Sequence, residues 1–323
     1  MLKSFTITEK QAGVRLDKFV AKAAPMLPKS MLYKQIRMKN IKVNRKRAEI
    51  SQKLNSGDIL DIYIKDEFFE KGETRYAFTG AAALSGILYE DENILLVDKK
   101  QGLIVHPDDK EFRDTLITRI QKYLYEKGDY NPEDENSFTP ALANRIDRNT
   151  GGIVMAAKNP AALRILCDKI KNREIDKYYL AVVHGKPPKK TDIIEGYLEK
   201  NEAKNQVFLS KNPKNGAKIA KTKYHLVAFR DNLSLVEVEL LTGRTHQIRA
   251  QMASIGCPLL GDGKYGKNAA DKQMGYKHQA LYSYRLRFSF TEEAGLLDYL
   301  NGKEFEVNEV WFANELFGYK KGV

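Results

Sequence analysis

Cysteine is nearly absent from this chain: 323 residues contain two, Cys167 and Cys257, and they form no CxxC pair. That excludes a disulfide scaffold and a thiolate metal knuckle. It fits a reducing, cytoplasmic setting in which both are expected as small buried hydrophobes. Histidine is scarce as well. The five residues His106, His184, His225, His246 and His278 lack metal-ligand spacing, so no metal site is expected. No apolar run reaches the roughly 18 residues that a membrane span needs, and no apolar signal-peptide core opens the sequence. Neither membrane insertion nor secretion is expected. No repeat of 20–50 residues is visible.

Positive charge is abundant, and it is unevenly spread. Of the net +12, residues 1–65 hold fifteen Lys/Arg against five Asp/Glu, which is ten units in the first fifth of the chain. A basic module in front of a near-neutral one points to a polyanion, most simply nucleic acid. In this module Val14 to Val20 has helical spacing, and Pro25 and Pro28 break it. Ser30 is a candidate N-cap for a second helix running to Met38. Ile41-Lys42-Val43 reads as a short strand entering the basic turn Asn44 to Arg47, and Ile59 to Ile64 reads as another strand after the Asn55-Ser56-Gly57-Asp58 turn.

The rest of the chain alternates strands and helices, an α+β pattern. Residues 66–85 lack a period and read as a linker, so the second domain is placed at 86–323. Ile87 to Lys100 reads as a hairpin around an acidic turn, 114–126 as a helix, and 131–137 as loop. Pro160 to Asn172 reads as a helix, Lys177 to Val183 as a strand, 199–216 as an extended hairpin or loop, Leu235 to Leu241 as a strand, and 245–253 as a helix. Gly261-Asp262-Gly263-Lys264-Tyr265-Gly266 is a literal GxGxxG. A dinucleotide fingerprint needs a strand before it and a helix opening within it. Here Pro258 interrupts what precedes, and a polar turn follows, so no nucleotide cofactor is expected.

The stretch with the most chemistry is Asn144-Arg145-Ile146-Asp147-Arg148-Asn149-Thr150-Gly151-Gly152. One carboxylate, Asp147, stands between two arginines before a Gly-Gly pair and an apolar run, an arrangement that favours its negative charge. Two readings fit these residues alone. One is an Arg–Asp salt bridge at a charged turn. The other is a carboxylate held on a tight turn so that it can attack a sugar carbon, as the nucleophile of a retaining glycosidase does.

Residues 12–64 resemble the S4 domain, an RNA-binding module named for a ribosomal protein. The resemblance rests on Arg15-Leu16-Asp17-Lys18, Ser30 to Arg37 and Ile41-Lys42-Val43-Asn44. It implies RNA contacts from Arg15, Lys18, Lys34, Arg37, Lys42 and Arg45. Four further segments follow in a fixed order: Tyr89 to Pro107, Asn144 to Gly152, Lys177 to Gly185, and Leu241 to Arg249 continuing through Gly256 to Gly266. In this order they resemble the RluA family of pseudouridine synthases. With the S4-like module in front, the chain resembles that family's large-subunit ribosomal RNA branch.

The resemblance implies a catalytic domain with a mixed, mostly antiparallel sheet and flanking helices. The implied reaction converts uridine to pseudouridine in structured RNA without metal or cofactor, in a protein expected to be monomeric and cytoplasmic. By this likeness Asp147 is the catalytic carboxylate, Tyr179 packs on the flipped uracil, and Arg249 pairs with the acid. Arg145 fills the vacated stack, a task suited to a guanidinium that stacks on bases and contacts phosphate. Ile248 walls the pocket, Arg244 meets phosphate, and Arg148 belongs to the same RNA-contacting set. His246 reads as a hydrogen-bonded structural histidine, with a general base as the other reading. The chain departs from the family pattern at Asn144 in place of His, at Asn149 and Gly151 in the turn, and at Lys100 in place of Pro. Asn144 retains the capacity to hydrogen-bond the turn. Two other functions stay open: the same chemistry on transfer RNA, and a non-catalytic RNA-binding factor in ribosome assembly.

Overall fold

The computed structural model describes residues 2–8, 12–69, 76–132, 138–201, 206–210, 213, 217–266 and 268–319. The chain forms two compact units. One comprises Met1–Leu84 with Ile104–Asp129; the other comprises Ser85–Leu103 with Tyr130–Val323.

The first unit places helices α1 (Leu16–Ala23) and α2 (Lys29–Arg37) with a four-stranded antiparallel sheet. Its strands are β1 (Leu2–Thr6), β2 (Ile41–Val43), β3 (Lys46–Arg47) and β4 (Ile59–Tyr63), in the order β1-β4-β2-β3. Leu16 and Val20 of α1, and Leu32 and Ile36 of α2, keep helical spacing and meet Ile41, Leu60 and Ile62 in one apolar core. The second helix starts one residue before the cap expected from sequence: Pro28 occupies the N-cap and Ser30 lies inside the helix. Pro28 fixes φ at −58° on entry to the helix, and no side-chain cap hydrogen bond is present. Asn44 and Arg45 both adopt positive φ, 50° and 61°. This is the geometry a two-residue hairpin turn requires, and Arg45 is exposed on it.

Two stretches sit differently from the sequence reading. Within 66–85, residues 70–75 lie outside the described residues. The flanking turns bury Phe68 and Phe78, and residues up to Leu84 group with the first unit. Residues 104–129, assigned above to the second domain, also group there. Phe112 enters the first unit's core, its ring 4.7 Å from that of Phe68. The segment includes α3 (Leu116–Lys127), which a Thr115/Thr118 capping box starts and Gly128 at φ 86° ends.

The second unit is built on an 11-stranded sheet. Its strands are β5 (Ile87–Glu90), β6 (Ile94–Lys99), β7 (Ala141–Leu142), β8 (Gly151–Ala157), β9 (Ile175–His184), β10 (Thr191–Asn201), β11 (Gln206–Ser210), β12 (Lys218–Arg230), β13 (Leu233–Leu240), β14 (Leu281–Phe288) and β15 (Glu304–Glu306). The order is β11-β10-β12-β13-β9-β14-β8-β6-β5, with β15 beside β14 and β7 beside β8. Only the β8–β14 pairing is parallel among the described strands. Residues 202–205, 211–212 and 214–216 of the expected 199–216 hairpin lie outside the described residues, as do 133–137 of the expected loop.

Helices α4 (Pro160–Lys171), α5 (Gln247–Ser254), α6 (Ala269–Gln273) and α7 (Trp311–Phe317) accompany this sheet. Strand β9 shows how it is covered. Tyr178, Leu180 and Val182 pack with Ala162 and Leu166 of α4, whereas Tyr179, Ala181 and Val183 pack with Ile248 and Met252 of α5. Alternate side chains leave opposite faces, so a strand buried on both faces reads as continuous apolar sequence. On α4, Ala162, Leu166 and Lys169 face inward. Cys167, 100° around the helix from Leu166, is exposed, contrary to the expectation that both cysteines are buried; Cys257 is buried.

The Gly-Gly pair has a steric reason. Gly151 and Gly152 lie opposite Tyr282 and Ser283 across the parallel pairing. A Cβ on Gly151 would overlap the Tyr282 ring, and one on Gly152, at φ +112°, would overlap the Ser283 backbone. Gly152→Ala is therefore expected to lower the melting temperature by about 10 °C or more, or to remove soluble protein. An unchanged thermal melt would contradict this account of the pairing.

Candidate active site

Asp147 stands on the turn that feeds β8, closed by a hydrogen bond from the Thr150 N–H to the Asp147 carbonyl at 3.0 Å. Asn144 ties the entry to this turn: its Oδ1 accepts the Met155 N–H at 2.7 Å. The turn is fastened from below by Lys99. This lysine is 1% exposed. Its ammonium donates to three carbonyls, those of Lys100 at 3.0 Å, Leu103 at 2.8 Å and Arg148 at 3.0 Å. Three acceptors match the three N–H bonds of a protonated lysine. Burial pushes the amine down to about 7, against the pull of the Asp147 and Asp98 charges. Lys99→Met would remove the ammonium from three carbonyls, of which that of Arg148 keeps the Gly102 N–H at 2.9 Å, at a cost of about 2 kcal/mol. Both the melting temperature and turnover should fall, and Lys99→Arg should not restore them, because the planar guanidinium cannot reproduce the threefold geometry. A melt indistinguishable from wild type would remove Lys99 from this role.

The loop before α5 supplies the partners. Gln247, 2% exposed, organises it: its Oε1 accepts from Thr242 Oγ1 at 2.8 Å and from the Arg244 N–H at 3.1 Å. His246 sits at φ 53°, the left-handed region that non-glycine residues seldom occupy. This bend aims the first turn of α5 at the Asp147 turn. Arg249 Nη1 donates to Asp147 Oδ2 at 3.1 Å, and His246 Nε2 lies 3.8 Å from the same oxygen. The cation hydrogen-bonded to Asp147 is thus 102 residues away along the chain.

Arg249 has a second partner. Its Nε and Nη2 donate to the two oxygens of Asp262 at 2.7 and 2.8 Å. The Arg249 side chain is 7% exposed and that of Asp262 is 0% exposed. Burial opposes the charge on Arg249, but Asp262 and then Asp147 outweigh it and hold the guanidinium above its usual range. Burial likewise opposes the charge on Asp262, and hydrogen bonds from Arg249, Lys264 and Tyr265 hold it below the usual carboxylate range.

A cleft of about 710 Å³ opens beside this constellation. It is lined by the Asp147 turn, β9, the end of β13 and α5, and Asp147, Tyr179, Arg249, Ile248, Arg145 and Arg244 all face it. Asp147 is 29% exposed at the side chain and so remains open to the cleft. Burial pushes the Tyr179 phenol up to about 12, with a contribution from the Asp147 charge. Among the described residues no group of three or more potential metal ligands occurs, and no helix is long and apolar enough to cross a membrane.

A match to the RNA pseudouridylate synthase family model spans residues 93–254, from β6 to the end of α5. The chain belongs to the RNA pseudouridylate synthase family. Among its relatives, ribosomal large subunit pseudouridine synthase C of Rickettsia bellii is 33% identical over 285 residues, covering 85% of this chain and 89% of that one. An uncharacterized RNA pseudouridine synthase of Mycoplasma capricolum is 31% identical over 317 residues, covering 97% and 99%. The fold is shared with human RNA pseudouridylate synthase domain containing 4, with a TM-score of 0.53 at 20% identity over 69% of this chain and 87% of that one.

As an RNA pseudouridine synthase, the chain distributes its candidate residues unevenly. Asp147, Tyr179, Arg249, Ile248, Arg145 and Arg244 share the cleft. Arg148 is exposed, and its carbonyl is the part that serves the turn. In the first unit Lys18, Arg37 and Arg45 are exposed. Lys42 lies over the Tyr63 ring at 5.2 Å. Arg15 is forked onto Asp17 at 2.9 Å, and Lys34 pairs with Asp109 at 3.2 Å, so each of these two has an acidic partner. Asp262, Lys99 and Gln247 were missed from sequence. A lone acid inside a glycine turn directly after Leu259-Leu260 was the available signal for Asp262.

Proposed function

We propose that this enzyme isomerises specific uridines of large-subunit ribosomal RNA to pseudouridine, with Asp147 as the catalytic carboxylate. The observation that carries the reading is the Asp147–Arg249 pair at the edge of a cleft whose wall includes Tyr179. Flipping the target uridine costs roughly a few kcal/mol. Arg145, exposed beside the acid, is suited to occupy the vacated stack, because a guanidinium stacks on bases and contacts phosphate. In the cleft Asp147 acts on the ribose as the N1–C1′ bond breaks. The uracil then turns, C5 bonds to C1′, and the C5 proton leaves. Tyr179 packs on the base and stays protonated in the ordinary assay range, and Ile248 bounds the pocket. Arg244 meets backbone phosphate.

The relatives named for the large ribosomal subunit support that substrate. The S4-like first unit supports RNA binding through Lys18, Arg37, Lys42 and Arg45. Binding should weaken with salt, with a log–log slope of about −0.7 to −0.9 per phosphate neutralised. The decisive experiment is a carbodiimide map of pseudouridine in large-subunit RNA from cells lacking the protein, rescued with wild type or Asp147→Asn. A stop that disappears and returns only with wild type establishes the substrate and the acid together. An unchanged ribosomal map, with a lost stop in transfer RNA, would replace the substrate and leave the chemistry standing.

A further inference from the structure

The GxGxxG turn that no cofactor reading absorbs makes two connections to the neighbourhood of Asp147. We infer that Gly261–Gly266 is a two-armed brace for the Asp147 carboxylate, in which Asp262 positions Arg249 and Tyr265 positions His246. The inference rests on Asp147 being the catalytic acid.

The first arm is an ion-pair relay. Asp262 takes two of the three Arg249 nitrogens, at 2.7 and 2.8 Å, and leaves Nη1 to reach Asp147 at 3.1 Å. A free arginine side chain samples many rotamers, and a bidentate carboxylate removes that freedom. Asp262 is itself fixed by the Lys264 N–H at 2.9 Å and the Tyr265 N–H at 3.3 Å. The second arm fixes a tautomer. Tyr265 Oη accepts the Val207 N–H at 2.9 Å and lies 3.0 Å from His246 Nδ1. With the tyrosine proton placed on Nδ1, the ring proton of neutral His246 falls on Nε2. That N–H faces Asp147 Oδ2 at 3.8 Å, beyond a direct hydrogen bond but within electrostatic reach. Burial holds His246 below its ordinary value, which agrees with a neutral ring.

The brace is anchored at both ends. At one end Gln206 Nε2 donates to the Lys264 carbonyl at 2.6 Å. At the other, the Gly261 N–H donates to Asp271 Oδ2 at 2.7 Å. Gly261 holds φ +76°, and a Cβ there would overlap the His278 carbonyl, so this glycine serves a close backbone approach. Both arms end on one carboxylate oxygen, which is the feature that separates a brace from ordinary packing.

The test measures release of tritium from total RNA labelled with [5-³H]uridine in cells lacking the protein. It uses full-length Asp262→Asn, Tyr265→Phe, the double variant and Asp147→Asn. Misplacing a catalytic group by a fraction of an ångström costs about 10- to 100-fold. Each single brace variant should therefore lose kcat on that scale, with KM for RNA within about twofold of wild type. Tyr265→Phe removes one oxygen and keeps the ring, so it serves if Asp262→Asn fails to fold. Folded variants with unchanged kcat would overturn the brace. So would a loss of kcat that tracks the melting temperature alone. If Asp147→Asn itself keeps activity, the reading of the acid fails, and the brace fails with it. If Asp147→Asn is inactive and the brace variants are normal, only the brace fails.

Discussion

Turnover of the Asp147→Asn variant is expected to fall by about four orders of magnitude or more, with RNA affinity nearly unchanged. Removal of a group that acts on the reacting atoms typically has this scale. Asparagine keeps the shape of the side chain and can still accept from Arg249 Nη1, so the turn should survive: its own Thr150–Asp147 hydrogen bond is backbone. What is lost is the negative charge and, if Asp147 attacks the sugar, the attacking oxygen. The check is single-turnover tritium release against filter binding of the same RNA. Residual turnover within a hundredfold of wild type would exclude Asp147 as the nucleophile and leave it a supporting charge. A parallel loss of affinity would mean that the residue builds the RNA site rather than acts in it.

Arg249→Met should damage stability and catalysis at once. The Asp262 side chain is 0% exposed, and Arg249 supplies its cation. Without that cation a buried carboxylate stands uncompensated, which costs about 3–5 kcal/mol. For a unit of this size the melting temperature should drop by about 10 °C. A second substitution separates the two effects. Arg249→Met with Asp262→Leu removes both charges, and apolar replacements of a buried pair are often neutral or stabilising. The double variant should regain most of the lost melting temperature and none of the lost turnover. If the double variant melts as low as the single, the destabilisation is a packing defect and the ion-pair account is wrong. If it recovers turnover, Arg249 is not needed at Asp147.

Much of this architecture was readable along the chain because it is local. Helical spacing marked α1, α3 and α4. Alternation marked β13. The basic excess of residues 1–65 pointed to a polyanion, and the order of four segments identified the family. The Asp147 turn stood out because a charged turn before Gly-Gly and an apolar run is unusual composition. Local composition showed only the flanking arginines as partners; Arg249 was named through the family resemblance, and it is the residue whose Nη1 donates to Asp147. Helical periodicity alone would leave Arg249 as an exposed residue of a short helix. It is buried because α5 lies across the face of β9 that carries Tyr179, and no local pattern records which helix covers which face.

The remaining differences share that cause. Lysine is ordinarily a surface residue, so nothing at position 99 announced a buried ammonium; three carbonyls from two separate loops make burial tolerable. Asp262 was hidden inside a motif whose glycines suggested a different use. Phe68, Phe78 and Phe112 lie in stretches without periodicity, and so their grouping with the first unit could not be read from spacing. The sequence by itself determined the elements, the charge distribution and the family, because short-range periodicity and composition encode them. Tertiary structure decided which charges meet. An ion pair spanning 102 residues depends on the path of the chain between its partners, and that path follows from how the faces of the sheet are covered.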